Sequence, residues 1–315
     1  MEILAADIGG TKIHYGVLNA DGQILFQQEE ATIPDPATSL KSHFSAILKD
    51  DRFHIGSIGV CVPGIVWKET GKVWAPNIPG WSDFPLQHFI QKIAGALPVQ
   101  IESDRTCYIL GEQWQGRARH CTDAIYVAVG TGIGAGILCN NKVLQGAQDI
   151  SGAIGWMRLP SPVPIRAKKP SCAFEEYASG KGMVQLSRAL MAEWPEYGGM
   201  LKEAGGALSA EMIVEHYEHD PVARQTIDGC IALWGTAAAN LISIFNPQKI
   251  IFGGGVFGAA TRFVPEISRF AKANAQPLAA ERCEITYTDL GRNAGLLGAA
   301  CAAVQTIEKI AGNDH

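Results

Sequence analysis

Short, nearly continuous apolar runs alternate along this chain with glycine-rich or polar breaks. The first run, Ile3 to Ala6, ends at Asp7 and passes through Gly9-Gly10-Thr11-Lys12 into a second, "IHYGVL". The turn sequence Asn19-Ala20-Asp21-Gly22 then predicts a hairpin. Ile55 to Val62 reads as a buried strand running into Pro63-Gly64, and Val99 to Glu102 as another running into Ser103-Asp104. Helices are predicted near 36–50, 84–96 and 105–116, and "RARHCTD" reads as a boundary.

The same order then restarts. Ala124 to Val129 is a predicted strand, the loop "GTGIGAGI" follows, and a Pro-rich loop, "LPSPVPIRAKKPSC", interrupts the second half. Helices are predicted near 175–191, 209–218 and 220–244. After them come the strand "QKIIF", the loop "GGGVFG", a helix, the strand "CEITYTDL" and an Ala-rich helix from about 293 to 309. One supersecondary unit thus occurs twice, which predicts a duplicated α/β fold.

Composition narrows the function class. The 315 residues suffice for two domains. A net charge of -5 argues against electrostatic nucleic-acid binding, and the basic cluster Arg166-Ala-Lys168-Lys169 is too short to change that. No apolar run is read as reaching membrane-spanning length, and no signal-peptide pattern opens the chain. The eight cysteines include no CxxC pair, and several, such as Cys61 and Cys139, sit in apolar runs as small hydrophobes. A cytoplasmic location is expected. His216 and His219 lie one helical turn apart but have no third ligand, so a solvated helix face is expected there.

The chemistry concentrates at strand ends. Glycine loops let backbone N–H groups approach a polyphosphate without intervening side chains. Two such loops, one per half, favour phosphate binding over two ordinary tight hairpins. Asp7 at the first strand end suits a phosphate-bound Mg²⁺, directly or through water. Asp104 reads either as a helix N-cap or as a base that accepts a hydroxyl proton. The P-loop pattern is absent. Gly253-Gly254-Gly255-Val256-Phe257-Gly258 matches the dinucleotide fingerprint, but too little chain follows for the Rossmann sheet. An NAD-dependent dehydrogenase is therefore the weaker alternative, and a glycine turn near an adenosine the favoured one.

These motifs, in this order, resemble the ROK family of sugar kinases and related repressors, within the actin-like, hexokinase-like ATPases. The resemblance covers nearly the whole chain. "DIGGTK" (Asp7, Gly9, Gly10, Thr11, Lys12) resembles the first phosphate loop, and "GTGIGAGI" (Gly130, Thr131, Gly132, Gly134) the second. "CVPGIV" with Gly64 and "APNIPGWSDFPL" with Asn77 resemble sugar loops. "ESDRTCYILGE" resembles the segment of the catalytic base, Asp104, and "FEEYASGKG" that of a sugar-binding glutamate, Glu175. "IIFGGGV", with Gly254 and Gly255, resembles the adenosine strand and loop.

The resemblance implies two actin-like (ribonuclease H-like) domains, residues 1–117 and 118–295, with the C-terminal helix, about 296–315, packing on the first. It implies a cleft that closes on ATP and sugar, a primary hydroxyl as acceptor, Mg²⁺ as cofactor and a homodimer. Some relatives are repressors with an N-terminal DNA-binding domain; none is expected here, since the phosphate loop begins at residue 7.

The departures point to substrate. Where the family has Gly-Glu-x-Gly-His, this chain has "SGAIGWM", with Ala153 for the glutamate and Trp156 for the histidine. In place of the zinc-binding cysteines only Cys172 remains, so no zinc is expected. Ser103 stands where asparagine is usual and can still hydrogen-bond. Two polar sugar contacts are thus lost, and an acceptor other than plain glucose is expected: an amino sugar, an N-acyl sugar or a cyclitol. Trp156 either faces that acceptor or fills the volume left by histidine and zinc. A non-catalytic sugar sensor is the alternative from a different class.

Overall fold

A computed structural model describes residues 1–32, 36–161 and 171–313. The basic cluster at 166–169, most of the Pro-rich loop and the side chain of Cys172 lie outside the described residues. The chain divides into two compact units. The first comprises Met1–His120, Val143–Ser151 and Arg292–His315, and the second Cys121–Lys142 and Gly152–Gly291.

In the first unit the strands are β1 (Glu2–Ile8), β2 (Lys12–Asn19), β3 (Ile24–Ala31), β4 (Ile55–Val62), the short hairpin β5 (Ile65–Trp67) and β6 (Lys72–Trp74), and β7 (Val99–Ser103). The main sheet has the order β3-β2-β1-β4-β7, with β2 antiparallel to both neighbours and the β1–β4 and β4–β7 pairs parallel. Ile3 to Ala6 are buried on both faces of the sheet, which is why that stretch shows no polar alternation. At the sheet edge, β3 carries Gln27, Gln28, Glu29 and Glu30, polar positions that suit an edge strand. The hairpin turn is closed by Asn19, whose Oδ1 accepts the N–H groups of Asp21 and Gln23. Helices α1 (Pro36–Ile47), α2 (Leu86–Ala94) and α3 (Asp104–Gln115) follow the predicted positions within a few residues.

The second unit repeats this plan. Its strands are β8 (Ala124–Val129), β9 (Ile133–Cys139), β10 (Lys142–Val143), which ends on the first residue of the segment assigned to the first unit, the pair β11 (Arg158–Pro160) and β12 (Ser171–Ala173), β13 (Lys249–Gly253) and β14 (Glu284–Tyr287). Its sheet order is β10-β9-β8-β13-β14, again with an antiparallel hairpin beside parallel strands. This mixed sheet is not the Rossmann arrangement, and the glycine run after β13 enters 3₁₀ turns, not a helix. The helix predicted over 175–191 is two helices, α4 (Glu175–Ala178) and α5 (Gly180–Ala192). Ser179 separates them in an extended conformation, and its hydroxyl caps α5 by accepting from Gly182 N. Then follow α6 (Met200–Glu203), α7 (Ala210–Glu215), α8 (Pro221–Phe245), α9 (Val264–Asn274) and α10 (Pro277–Arg282).

Helix α8 has the length and the hydropathy, 1.4, of a membrane-crossing segment, contrary to the sequence expectation. Its apolar window is 61% buried, and it carries fully buried Trp234, whose indole N–H donates to Ala178 O at 3.1 Å. That is the profile of a central core helix.

The last helix, α11 (Ala294–Asn313), belongs to the first unit. It lies unusually close to α3, because a Cβ on Gly298 would sit 1.7 Å from Cys107 O. A helix interior tolerates glycine at such a cost only where backbones must approach this closely.

Candidate active site

In the first unit Asp7 occupies the penultimate position of β1, opposite His14 on β2 and level with Cys61 on β4. The Cys61 thiol hydrogen-bonds to its carboxylate. Burial pushes the Asp7 carboxyl up to about 6; the Cys61 bond opposes that shift and Asp104 reinforces it. The first turn of α11 comes against it, since a Cβ on Gly295 would fall 2.1 Å from Asp7 Oδ2. A half-buried carboxylate near a second carboxylate, with a thiol as its side-chain donor, has the hard oxygen chemistry a divalent cation takes. Asp7 would supply one carboxylate oxygen to the expected Mg²⁺, with phosphate and water oxygens completing its coordination.

The loop after Asp7 is a tight turn closed by Gly9 N–H donating to Lys12 O at 2.7 Å. Gly10 faces the backbone of Asn77, whose carbonyl oxygen would lie 3.1 Å from a Cβ at residue 10. The exposed Asn77, expected at the sugar, therefore sits beside the first glycine loop. Thr11 is exposed, and its carbonyl accepts the N–H of Thr32. Lys12 reaches across the sheet to Glu29 at 2.6 Å, so the cation expected at phosphate holds an ion pair on the surface.

Asp104 is the first residue of α3, and Ser103 before it is the N-cap. The buried Ser103 hydroxyl accepts from Thr106 N at 3.5 Å and donates to Thr106 Oγ1 at 3.2 Å. Its hydrogen bonds stabilise the helix start, which the expectation of an acceptor contact did not anticipate. Asp104 is thereby released from the capping role. Its Oδ1 accepts the N–H of Arg105 at 2.8 Å. Burial holds its proton affinity above the usual carboxylate range, while the Arg105 charge pulls the other way. Gly64, in the turn between β4 and β5, has φ +100°, and a Cβ there would lie 2.1 Å from Trp74 O.

In the second unit the loop between β8 and β9 exposes Thr131 and Gly132. Gly130 N–H donates to Gly132 O at 2.9 Å, and Gly130 O accepts the N–H of Gly180 at 2.8 Å. Gly134 falls inside β9, paired with Ala128, rather than in the loop. Gly254 has φ +87° and lies against the end of β8, with Val129 O 2.6 Å from where a Cβ would be. Gly255 opens the 3₁₀ turn after it.

These loops line a cavity of about 680 Å³, together with Lys181, Gln185 and Arg188 on α5. That volume lies in the range of small-molecule sites. The three α5 side chains were not singled out from the sequence. The pattern G-K-G-x-x-Q-x-x-R puts them on one face at helical spacing, but only the packed loops show what that face overlooks.

Glu175 begins α4, and its Oε2 accepts the N–H of Ile133 at 3.1 Å. The same oxygen lies 2.9 Å from where a Cβ on Gly132 would be and 2.7 Å from one on Gly155. Ala153 precedes the 3₁₀ turn Ile154–Trp156, and Trp156 is 71% exposed. The core-filling alternative for Trp156 is thereby overturned: the indole projects into solvent from the turn that packs on Glu175. Among the described residues no group of three His, Cys, Asp or Glu side chains is placed to hold a metal ion.

The ROK family model matches residues 3–306. A glucokinase from Halalkalibacterium halodurans is 30% identical over 309 residues, covering 94% of this chain and 92% of that protein. A beta-glucoside kinase from Listeria innocua is 28% identical over 302 residues, covering 95% and 96%. The crystal structure of a ROK family glucokinase from Streptomyces griseus, in complex with glucose and AMPPNP, superposes with a TM-score of 0.77 at 28% identity, over 97% of this chain and 100% of that one. With the family matched from Ile3 to Thr306 and its fold shared end to end, the chain belongs to the ROK family.

Proposed function

We propose that the protein is an ATP-dependent carbohydrate kinase that phosphorylates a hydroxyl of a sugar or sugar-like acceptor, with Asp104 as general base. The observation that carries this reading is the state of Asp104. It stands at the first turn of α3 with the capping role taken by Ser103 and with a proton affinity raised by burial. A carboxylate so placed is suited to accept a hydroxyl proton. The named sugar kinases among the relatives support the reaction class.

The step is a single displacement. The acceptor hydroxyl gives its proton to Asp104 as its oxygen forms a bond to the γ-phosphorus. The bond from that phosphorus to the β,γ-bridging oxygen breaks, and ADP leaves with the electron pair. The exposed turn at Thr131 and Gly132 and the cavity beside α5 suit the phosphates and the nucleoside. Asp7 would hold Mg²⁺, which neutralises phosphate charge when bound. Positioning and charge neutralisation supply most of the rate in such reactions.

The acceptor is an amino sugar, an N-acyl sugar or a cyclitol in preference to plain glucose, and its reacting hydroxyl is primary. Ala153 and Trp156 carry this preference, since neither can accept a sugar hydroxyl as the family's glutamate and histidine do. The enzyme works in the cytoplasm as a homodimer without zinc. An ATP-consumption screen over hexoses, amino sugars, N-acyl sugars, anhydrosugars and cyclitols tests the reading. Turnover stimulated by one of these classes is expected. If none stimulates it while one still binds, the protein is a sugar sensor and the kinase reading falls.

A further inference from the structure

Arg105 follows the proposed base directly, and its side chain does not go to solvent. Its Nη2 donates to two backbone carbonyls, Gly64 O at 3.1 Å and Asp149 O at 3.0 Å. These carbonyls come from separate segments, the loop that leaves β4 and the segment Val143–Ser151. Both belong to residues with left-handed backbone, Gly64 at φ +100° and Asp149 at φ +57°. Asp149 is 8% exposed, and its Oδ2 also accepts the N–H of Val66 at 3.4 Å, so the two segments are tied to each other as well. The backbone N–H of Arg105 meanwhile donates to Asp104 Oδ1. One residue thus touches the base with its main chain and two chain corners with its side chain.

We propose that Arg105 is a positioning residue: it ties the corners at Gly64 and Asp149 to the first turn of α3 and so sets the distance between Asp104 and the loop that carries the acceptor. The proposal rests on the kinase reading. A guanidinium suits this role because it is planar, always charged and able to offer several donors at fixed angles. Neither corner can hold its own place easily. Left-handed backbone is unfavourable for Asp149, and Gly64 has no side chain with which to anchor itself. Arg105 Nε is buried and has no hydrogen-bond partner, so the two Nη2 bonds are what hold the guanidinium in place.

The physical consequence is specific. Losing the tie leaves Asp104, its helix and the nucleotide cavity of the second unit in place. It releases the acceptor side alone. Misplacement by about an ångström at a reacting centre costs on the order of a hundredfold in rate.

The test uses Arg105→Met and Arg105→Lys in the full chain, with two readouts. In steady-state kinetics, Arg105→Met is expected to lower kcat/KM for the acceptor by roughly ten- to a hundredfold and leave KM for ATP within about twofold. Arg105→Lys keeps the charge but cannot span both carbonyls in the same geometry, and should fall between Met and wild type. In amide hydrogen exchange, Arg105→Met should speed exchange around residues 64–66 and 147–151 and leave residues 130–134 unchanged.

Wild-type acceptor kinetics in a folded Arg105→Met protein would overturn the proposal. So would equal losses for ATP and acceptor that track a lowered melting temperature, since that is a purely structural role. If Arg105→Met does not fold, Arg105→Lys decides by the same two readouts. A wild-type protein that no acceptor activates refutes the kinase reading itself. An active wild type with unmoved variants refutes only the role of Arg105.

Discussion

Glu175 Oε2 accepts the N–H of Ile133 at 3.1 Å, so the residue expected at the acceptor is hydrogen-bonded to the strand that leaves the second glycine loop. Ile133 is 7% exposed, and its N–H has little access to water if the carboxylate is removed. Glu175→Ala should therefore lose about 1–3 kcal/mol of stability, the usual cost of stranding such a donor. It should also raise KM for both ATP and acceptor. Glu175→Gln keeps an accepting oxygen and should restore the stability but not the acceptor affinity. Urea melts and steady-state kinetics on the pair separate the two roles. Equal stability of the Ala and Gln variants would show that the bond carries no weight.

Asp104→Asn should retain ATP affinity and lose turnover by roughly a hundredfold or more, because an amide cannot take the proton. The base works only when ionised. Burial raises its proton affinity, so kcat/KM should fall on acidification at a pH above the ordinary carboxylate range. A pH–rate profile with its acid limb at or below that range contradicts the assignment.

Asp7→Asn should make the protein more stable at neutral pH and inactive. The folded-state carboxyl is raised from 3.8 to about 6. Its contribution to stability is therefore present in full below 3.8 and lost as pH rises through about 6. Above that pH the asparagine variant should melt higher, by a few degrees on the order expected for about 1 kcal/mol or more. The difference should shrink as pH falls toward 4. Melting curves across this window check both the sign and the window. An Asp7→Asn protein that melts lower than wild type at pH 7.5 refutes the argument.

Trp156→Ala should change stability by no more than about 0.5 kcal/mol, because an exposed side chain leaves no cavity. It should still alter the ranking of acceptors. In the converse experiment, Ala153→Glu with Trp156→His should improve glucose relative to the best wild-type acceptor by roughly ten- to a hundredfold. If wild type already uses glucose as well as any other acceptor, the specificity argument fails regardless of the variants.

Chelator treatment should leave the melting temperature unchanged, because Cys172 and Trp156 cannot assemble a tetrahedral zinc site. About one zinc per chain in purified protein, lost together with stability, would be the contrary result.

Much of this molecule is local and was legible along the chain. Runs such as Ile3–Ala6 and Ile55–Val62 announce buried strands because a sheet covered on both faces needs no polar alternation. The repeat of run, glycine loop and run announced a duplicated plan, which the two sheets share strand for strand. Strand ends at Asp7 and at Ser103-Asp104 were placed by the glycine turn and the helix start that follow them. Other features required the chain to be folded. Lys12 meets Glu29 through the register of β2 on β3, seventeen residues away in sequence. Arg105 meets Gly64 and Asp149 at separations of 41 and 44 residues. The break at Ser179 contradicts what helical period alone suggests, and the exposure of Trp156 decides between two placements that the sequence left open. Periodicity reports which face a residue occupies on its own element. Which distant donor or acceptor lies opposite that face depends on packing, and packing exists only in the tertiary structure.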